Sequence, residues 1–413
     1  MSLILDFKIK KGEFVSLNGD RTAAKIKYDG VLTVELYYTY KDEPLVMRSS
    51  ANEGDAARVI LNSHSVALFV NGELSDEEWP QDERLLTPDS VFGGLDVKIT
   101  EEQTDITVNP FDRRGIKTDE IRIPGVNIGD CMPFSDGRDG RFHLFYLYDR
   151  HHHASKWKLG GHTWAHISSA DLKTWDEHPV AVGITEDFEG SICTGSVYAD
   201  EKDGTPLYYA WYAVRMPSRV KRPLSYALSR DLIHFEKQPG AIFLPDVYDA
   251  YTARDPVVFF AKGRYHMLVT TSRISDGSGA LAHLSSPSLS YEDWKDEGPI
   301  MAWADIVGKD DTTAKKQPEC PDWFKMGDYY YLVFSIEGTA RYGYSKDPVS
   351  GWIYPENNVI PCGTVPKSAI LPSTGERIFV GFTKEGGYAG GLCAAKATSK
   401  NDGALEFEEI KLS

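Results

Sequence analysis

The chain has 413 residues, 41% of them hydrophobic, which is enough for two or three sizeable cores. Its formal net charge of -16 argues against a nucleic-acid backbone or an anionic membrane surface as partner, and suits a neutral ligand. Its five cysteines lack CxxC spacing, so neither a metal site nor a dense disulfide framework is indicated. We therefore expect no metal, no cofactor and no nucleic-acid or membrane partner.

The first residues of the chain and its number of cysteines indicate in which cellular compartment the protein is expected. Residues 1–8 lack a charged stretch followed by a long apolar one, and no apolar run elsewhere reaches transmembrane length. An odd number of cysteines favours a reducing compartment. We expect a soluble, cytoplasmic protein, with secretion after removal of a signal peptide as the alternative.

Residues 1–118 are predicted to form an antiparallel β-sandwich. Segments of alternating hydrophobicity, separated by acidic and glycine turns, lie at Leu32–Tyr38, Ala67–Gly72 and Leu95–Ile99. Such alternation is typical of strands that cover a core with one face. An exposed face of such a sheet is also a candidate homodimer surface.

Residues 119–413 contain two recurring elements. The first is a short strand rich in aromatic residues, with copies at Arg141–Tyr146, Leu207–Tyr212, Arg264–Val269, Tyr329–Phe334 and Arg377–Phe382. The second is a Ser-x-Asp-Leu-like turn followed by an aromatic residue and a proline, with copies beginning at Ser169, Ser229, Ser286 and Ser345. Five units of about four strands each predict a five-bladed β-propeller, so the whole chain is expected to be all-β.

Three acidic residues are expected to meet in this propeller. Asp130 comes just before the first predicted strand, Asp255 opens the third blade and Glu319 opens the fourth. Each alone is typical of a solvated turn, but their joint placement predicts convergence at the mouth of the central channel. Such crowding raises the pKa of at least one carboxyl group, and we expect that of Glu319 to rise.

Ordered motifs in this part of the chain resemble those of glycoside hydrolase family 32, the β-fructofuranosidases, invertases, levanases and inulinases, and more distantly family 43. The matching segments are Gly160–His166 with Ser169–Trp175, Cys193–Ser196, Arg254–Pro256 and Glu319–Asp322. The resemblance covers roughly residues 121–396. It implies hydrolysis of a furanosyl, fructosyl-type bond in an oligosaccharide or small glycoside.

The resemblance also implies roles for individual residues. Asp130 would be the nucleophile, Glu319 the general acid and then base, and Asp255 the stabiliser of an oxocarbenium-like transition state. The residues expected to contact substrate are Arg254, Trp157, Trp164, Thr194, Gly195 and Ser196. Arg254 would pair with Asp255, with a purely structural salt bridge as the alternative. For both tryptophans, packing between blades is the alternative to a wall for the sugar ring.

The chain departs from the family pattern in places that concern the sugar. Gly129 stands where the family's first motif has Asn before the nucleophile, and Leu147 stands where the family has Gln. In the family both of these side chains contact the fructosyl unit. An inverting arabinosidase- or xylosidase-like enzyme and a non-catalytic carbohydrate-binding propeller therefore remain alternatives. The run His151–His153 is expected to line the pocket rim rather than bind a metal, and Cys320 to be a packed thiol.

Overall fold

The described residues of the chain form two units built almost entirely of β-strands. The computed structural model describes residues 2–39, 41–61, 66–78, 84–102, 114–117, 127–149, 162–185, 189–202, 204–216, 220–384 and 388–410. Unit 1 comprises Met1–Pro110, Asp149–His162 and Ile184–Ser191, and unit 2 comprises Phe111–Tyr148, Thr163–Gly183 and Ile192–Ser413. The boundary predicted at residue 118 lies outside the described residues.

Unit 1 contains two antiparallel sheets. Their strands are β1 (Ser2–Lys8), β2 (Gly12–Asn18), β3 (Arg21–Tyr28), β4 (Val31–Tyr38), β5 (Lys41–Ser50), β6 (Ala56–Leu61), β7 (Val66–Val70), β8 (Glu73–Glu78) and β9 (Val97–Glu102). One sheet has the order β8-β7-β6-β1-β9 and the other β2-β3-β4-β5. In β4 the burial alternates, with Leu32, Val34 and Leu36 inside. Buried side chains of both sheets form one hydrophobic cluster, as the alternating sequence pattern predicts.

The described residues of unit 2 form five antiparallel sheets that follow one another along the chain. The first contains β10 (Arg114–Lys117), β11 (Asn127–Phe134), β12 (Phe142–Asp149), β13 (Thr163–Ser169) and β14 (Thr174–Val182). The second contains β15 (Ser191–Lys202), β16 (Thr205–Arg215), β17 (Leu224–Ser229) and β18 (Glu236–Lys237). The third contains β19 (Arg254–Ala261), β20 (Arg264–Ser272), β21 (Gly279–Ser286), β22 (Lys295–Asp296) and β23 (Met301–Ala302), and is followed by the short helix α1 (Trp303–Val307). The fourth contains β24 (Glu319–Met326), β25 (Tyr329–Ile336) and β26 (Thr339–Ser345), and the fifth β27 (Thr364–Leu371), β28 (Glu376–Phe382), β29 (Leu392–Ser399) and β30 (Leu405–Ile410).

The two recurring sequence elements occupy equivalent places in these sheets. The aromatic segments correspond to β12, β16, β20, β25 and β28, which are inner strands of the five sheets. The Ser-x-Asp-Leu turn follows β13, where Ser169 Oγ accepts the Asp171 N–H at 3.2 Å and Asp171 accepts two further backbone N–H groups. The same bonds recur at Ser229 and Asp231 after β17. These local turns explain why the repeat is visible in the sequence.

Successive sheets of unit 2 pack against one another. Hydrophobic clusters join the second sheet to the third, the third to the fourth and the fourth to the fifth. The fifth sheet returns to the first, because β27 and β28 contact β11, and Ile128 and Gly390 exchange two backbone hydrogen bonds of 3.0 Å. The first sheet contacts the second through the side chains of Asp130 and Thr194.

The first strands of the third, fourth and fifth sheets begin in the same irregular way. A residue with positive φ precedes a proline, and the strand pairing shifts register across these two residues. The residues are Asp255 (φ 55°), Cys320 (φ 49°) and Val365 (φ 42°). Non-glycine residues adopt this region rarely, and bulges redirect the side chains of a strand. Two of the three bulges lie at residues expected in the active site.

Candidate active site

Asp130 lies within β11, whereas the sequence predicted it just before a strand. The Thr194 hydroxyl donates to its Oδ2 at 2.5 Å, and the Tyr388 hydroxyl donates to its Oδ1 at 2.9 Å. The Cys320 thiol is 3.4 Å from Oδ2. These three groups are neutral hydrogen-bond donors, which stabilise a carboxylate without pairing it to a fixed cation.

Asp255 is the most deeply buried of the three acids, with 3% of its surface exposed. Its Oδ2 accepts the backbone N–H of Cys320 at 3.0 Å, and Nε of Arg254 is 3.6 Å away. Burial raises the pKa of Asp255; the charge of Arg254 opposes this rise and that of Asp130 adds to it. The left-handed backbone at Asp255 turns its side chain toward the start of the next sheet.

Arg254 forms the ion pair with Asp255 that the sequence predicted, and in addition it makes a hydrogen bond with Glu319. Its Nη2 donates to Glu319 Oε1 at 2.8 Å, while Nη1 donates to Gln317 Oε1 at 2.6 Å. Gln317 is held in turn by hydroxyl groups, at 2.9 Å from Thr252 and 2.8 Å from Ser272. The guanidinium is therefore fixed on two sides.

The pKa of Glu319 is raised, in the direction that the sequence predicted. Burial is the largest cause; Arg254 acts in the opposite direction, and the charges of Asp255 and Asp130 add to the rise. A carboxyl group of this kind retains its proton to higher pH than an exposed glutamate. It is suited to donate a proton to a leaving group.

Cys320 connects the three acids. It follows Glu319 directly, its N–H bonds Asp255 and its thiol points to Asp130. Burial raises the pKa of the Cys320 thiol well above its ordinary value, so it serves as a weak donor rather than as a nucleophile. The carboxyl groups thus come from β11, β19 and β24, three different sheets of unit 2.

The segment Thr194–Ser196 on β15 is only partly directed at the acids. Thr194 contacts Asp130. Ser196 Oγ instead accepts the backbone N–H of Val258 at 3.3 Å, and the Gly195 carbonyl oxygen accepts a bond from Lys367 Nζ at 2.7 Å. Substrate contacts of Gly195 and Ser196 stay predictions.

Trp164 has no exposed surface, and its Nε1 donates to the Cys193 carbonyl oxygen at 2.9 Å. This burial favours the packing alternative over a wall for a sugar ring. Trp157 and the run His151–His153 lie outside the described residues.

A polar cavity of about 160 Å³ is lined by residues of β11, β15, β19, β24 and β27, one strand from each of the five sheets. Lys367 lines it with 3% of its surface exposed, and its charge acts to lower the pKa of Asp255. Asp322, the last residue of the Glu-Cys-Pro-Asp motif, also lines it and accepts two bonds from Ser368 at 2.9 and 2.8 Å. Asp322 therefore supports the fifth sheet and contacts none of the three acids in the described residues.

Sequence reasoning missed Gln317, Lys367 and Tyr388. Lys367 had a recoverable signal, because it follows Val365-Pro366 just as Asp322 follows Cys320-Pro321. Tyr388 had none, since it belongs to a loop outside every motif.

Two negative observations apply to the described ranges. No group of three or more His, Cys, Asp or Glu side chains there is arranged to hold a metal ion. Within the same ranges, no helix has the length and apolar character needed to span a bilayer.

Comparisons with known proteins agree with the motifs. The sequence model described as glycosyl hydrolases family 32 N-terminal domain matches residues 135–360, more than half of the chain. A sucrose-6-phosphate hydrolase of Escherichia coli is 24% identical over 294 residues, which are 64% of this chain and 58% of that protein. The chain thus spans about half the length of the curated relatives that it matches.

Solved structures share the fold. The sucrose-6-phosphate hydrolase of Lactobacillus gasseri superposes with a TM-score of 0.55 and 18% identity, covering 74% of this chain and 64% of that one. A thermostable family-43 glycoside hydrolase superposes with a TM-score of 0.51 and 16% identity, covering 70% of this chain and 95% of that one.

Proposed function

Since the chain belongs to glycosyl hydrolase family 32, we propose that it is a glycoside hydrolase that cleaves a fructosyl-type furanosyl bond. The observation that carries the proposal is the convergence of the three acids at Cys320, which bonds Asp255 through its N–H, contacts Asp130 through its thiol and directly follows Glu319 in the chain. The name of the Escherichia coli relative supports a small fructosyl glycoside as the substrate class.

In the first step, Asp130 attacks the anomeric carbon while Glu319 gives its proton to the glycosidic oxygen. The bond between the anomeric carbon and that oxygen breaks, the aglycone leaves as an alcohol, and the sugar remains as an ester on Asp130. The raised pKa of Glu319 supports its role as the acid.

In the second step, Glu319 acts as a base. It takes a proton from water, the water oxygen attacks the anomeric carbon, and the ester bond to Asp130 breaks. Arg254 stays within 2.8 Å of Glu319 and stabilises the carboxylate form that this step requires.

Asp255 does not exchange protons in this scheme. Its carboxyl group lies beside the reacting sugar, where it accepts bonds from sugar hydroxyls and offsets the positive charge of the oxocarbenium-like transition state. The hydrogen bond from the Cys320 N–H fixes its orientation.

We also propose that unit 2 is a five-bladed β-propeller and unit 1 a β-sandwich. The propeller is supported by the five consecutive sheets, by their pairwise packing and by the return of the fifth sheet to the first. The sandwich is supported by the common core of the two sheets in unit 1. Cytoplasmic location and homodimer formation stay predictions.

An inverting, family 43-like reaction is the second candidate, and the superposition with a family-43 hydrolase favours it as the alternative. The product distinguishes the two mechanisms. NMR of the first sugar released shows the same anomer as the substrate for a retaining enzyme and the opposite anomer for an inverting one.

The experiment is a hydrolysis panel of sucrose, sucrose 6-phosphate, inulin and levan oligosaccharides and aryl arabinofuranosides. We expect turnover of at least one fructoside, and a loss of about 10⁴-fold or more in kcat for D130N, which removes the nucleophile. E319Q should lose activity most strongly on substrates with poor leaving groups, because these depend most on protonation.

The matched control is Glu356→Gln, an exposed residue in a turn of unit 2. It should keep the kcat of the parent protein. Turnover confined to arabinosides would overturn the fructosyl assignment. Equal turnover by the parent and D130N would exclude Asp130 as the nucleophile, and no turnover of any glycoside in the panel would leave a carbohydrate-binding propeller as the better description.

A further inference from the structure

The residue before Asp130 has no side chain, and Tyr388 takes the space that a side chain would need. A Cβ atom built on Gly129 would lie 2.5 Å from the Tyr388 hydroxyl oxygen and 3.0 Å from the Leu147 carbonyl oxygen. Carbon atoms do not approach other atoms to 2.5 Å without displacement. Any larger residue at position 129 would therefore displace the phenol.

The Tyr388 hydroxyl makes two bonds to the same residue. It donates to Oδ1 of Asp130 at 2.9 Å and accepts the backbone N–H of Asp130 at 3.1 Å. A backbone N–H can only donate, so the single phenolic proton is directed at the carboxylate. The closed pair of bonds fixes the rotation of the carboxyl group relative to its own backbone.

Tyr388 lies between β28 and β29, and described residues near it are joined by backbone bonds. Gly390 exchanges two bonds with Ile128 of β11. The Thr383 N–H donates to the Gly391 carbonyl oxygen at 2.8 Å. The ring packs edge-on against Phe382 at 5.2 Å. The phenol is thus preorganised.

The two oxygens of Asp130 differ in their partners. Among the described residues, Oδ2 receives the Thr194 hydroxyl and the Cys320 thiol, which occupy both of its lone pairs. Oδ1 receives only Tyr388 and so keeps one lone pair for bonding to carbon.

We propose that Tyr388 is a positioning residue that presents Oδ1 of Asp130 to the anomeric carbon, and that Gly129 is required because it makes room for the phenol. This inference rests on the proposed function. In the family motif that the segment resembles, an Asn side chain precedes the nucleophile. In this chain a phenol from the fifth sheet occupies that place, and the two arrangements exclude each other sterically.

The first test is Tyr388→Phe, assayed on the fructoside that the parent hydrolyses best. Loss of one hydrogen bond to a charged group should lower kcat/KM about ten- to a hundredfold. The loss should appear in kcat, with KM within about twofold of the parent value, because the missing hydroxyl orients Asp130 for the reaction. A purely structural role would lower the thermal midpoint and the soluble yield without this split between kcat and KM.

The second test is a double-mutant cycle with Gly129→Ala. G129A alone should lower kcat/KM at least tenfold, because it displaces the phenol. The Y388F change should then cost much less in the G129A background than in the parent, since the bond is already lost. Tyr330→Phe is the control: its ring packs on Trp323, away from the acids, and it should match the parent.

The outcomes separate the inference from the proposed function. If D130N is inactive while Y388F keeps both kcat and KM within twofold of the parent values, the positioning role is wrong and the hydrolase stands. If G129A and Y388F lower activity independently, so that their effects multiply, the steric pairing is wrong. If the parent hydrolyses no glycoside, the proposed function is wrong and the inference fails with it.

Discussion

Gly195 shows how one missing side chain decides the local packing beside the site. A Cβ atom there would lie 1.7 Å from the Trp211 carbonyl oxygen, an atom of the backbone that cannot swing aside. The carbonyl oxygen of Gly195 accepts a hydrogen bond from the Lys367 ammonium. Gly195 also follows Thr194, whose hydroxyl contacts Asp130. Its requirement for glycine is therefore steric and independent of any ligand.

Gly195→Ala should destabilise unit 2 by more than about 3 kcal/mol, because β15 and β16 must separate to admit the methyl group. Soluble yield and the thermal midpoint followed by tryptophan fluorescence measure the effect. Gly183→Ala is the control, since the nearest atom to its Cβ would be a Val180 methyl carbon at 3.7 Å. It should shift stability by no more than about 0.5 kcal/mol. Equal midpoints for the two variants would contradict this account.

The sequence reveals some site residues and hides others for a physical reason. Asp255 and Glu319 stand beside prolines at strand starts, and the bulge there is a local property that a short motif encodes. Tyr388 reaches Asp130 across 258 residues of chain, and no local pattern encodes that contact. The ion pair of Arg254 with Asp255 was predicted because the two are adjacent, whereas its hydrogen bond with Glu319, 65 residues away, was not.

At the scale of elements, histidines stack across neighbouring strands. His143, His166 and His178 lie side by side on β12, β13 and β14, with ring centroids 5.1 and 4.4 Å apart, and His143 Nδ1 is 2.9 Å from His166 Nε2. A second pair on β20 and β21 repeats the contact between His266 and His283 at 2.8 Å. Each such bond needs one unprotonated nitrogen.

These stacks should make unit 2 sensitive to acid. Burial lowers the pKa of His178 to about 4 and that of His283 to about 4, and it lowers the pKa of His166 well below its ordinary value. An unfolded histidine titrates near pH ~6.5, so between ~6.5 and ~4 the unfolded chain binds more protons than the folded one. The free energy of unfolding should fall as the pH is lowered through that window.

Thermal midpoints from pH 7.5 to pH 4 measure this dependence. His178→Gln should flatten the curve, because it removes one group that the fold keeps neutral and places an amide near Ser168, the present partner of His178. The charged neighbours of the stack, Asp139, Arg141 and Asp176, are unchanged in the variant. A change in the pH dependence of the thermal midpoint therefore reports the loss of His178. If the thermal midpoint of the variant fell with pH as steeply as that of the parent, the acid sensitivity would not come from the histidine stack.

For the whole molecule, the excess of acidic residues is the dominant electrostatic property. There are 61 Asp and Glu against 45 Lys and Arg. Self-repulsion at this net charge opposes the compact state and is reduced by salt. The Debye length falls from about 30 Å at 0.01 M to about 8 Å at 0.15 M ionic strength.

The thermal midpoint should therefore rise by a few degrees between 10 and 150 mM sodium chloride at pH 7.5. Potassium chloride should have the same effect, because screening does not depend on the identity of the cation. A midpoint that is constant or falls in both salts would show that local ion pairs, not net repulsion, dominate.

The fold could be predicted from the sequence wherever its strands and turns have a local sequence pattern. The five aromatic strands and the Ser-x-Asp-Leu turns have local signatures, and they identified the successive sheets. β11 did not, because Asn127–Phe134 contains two glycine or proline residues and few β-branched ones, although it carries Asp130. Its strand conformation is imposed by β12 beside it and by Gly390 across from it.

The bond between Ile128 and Gly390 has a consequence for synthesis. A ribosome delivers the chain from its N-terminus, so Asp130, Asp255 and Glu319 all emerge before the loop that carries Tyr388. A nascent chain, or a product clipped before the fifth sheet is complete, has its acids but not the phenol that orients one of them. Under the proposed function, hydrolytic activity would then appear only after the fifth sheet has been synthesised and has closed against the first.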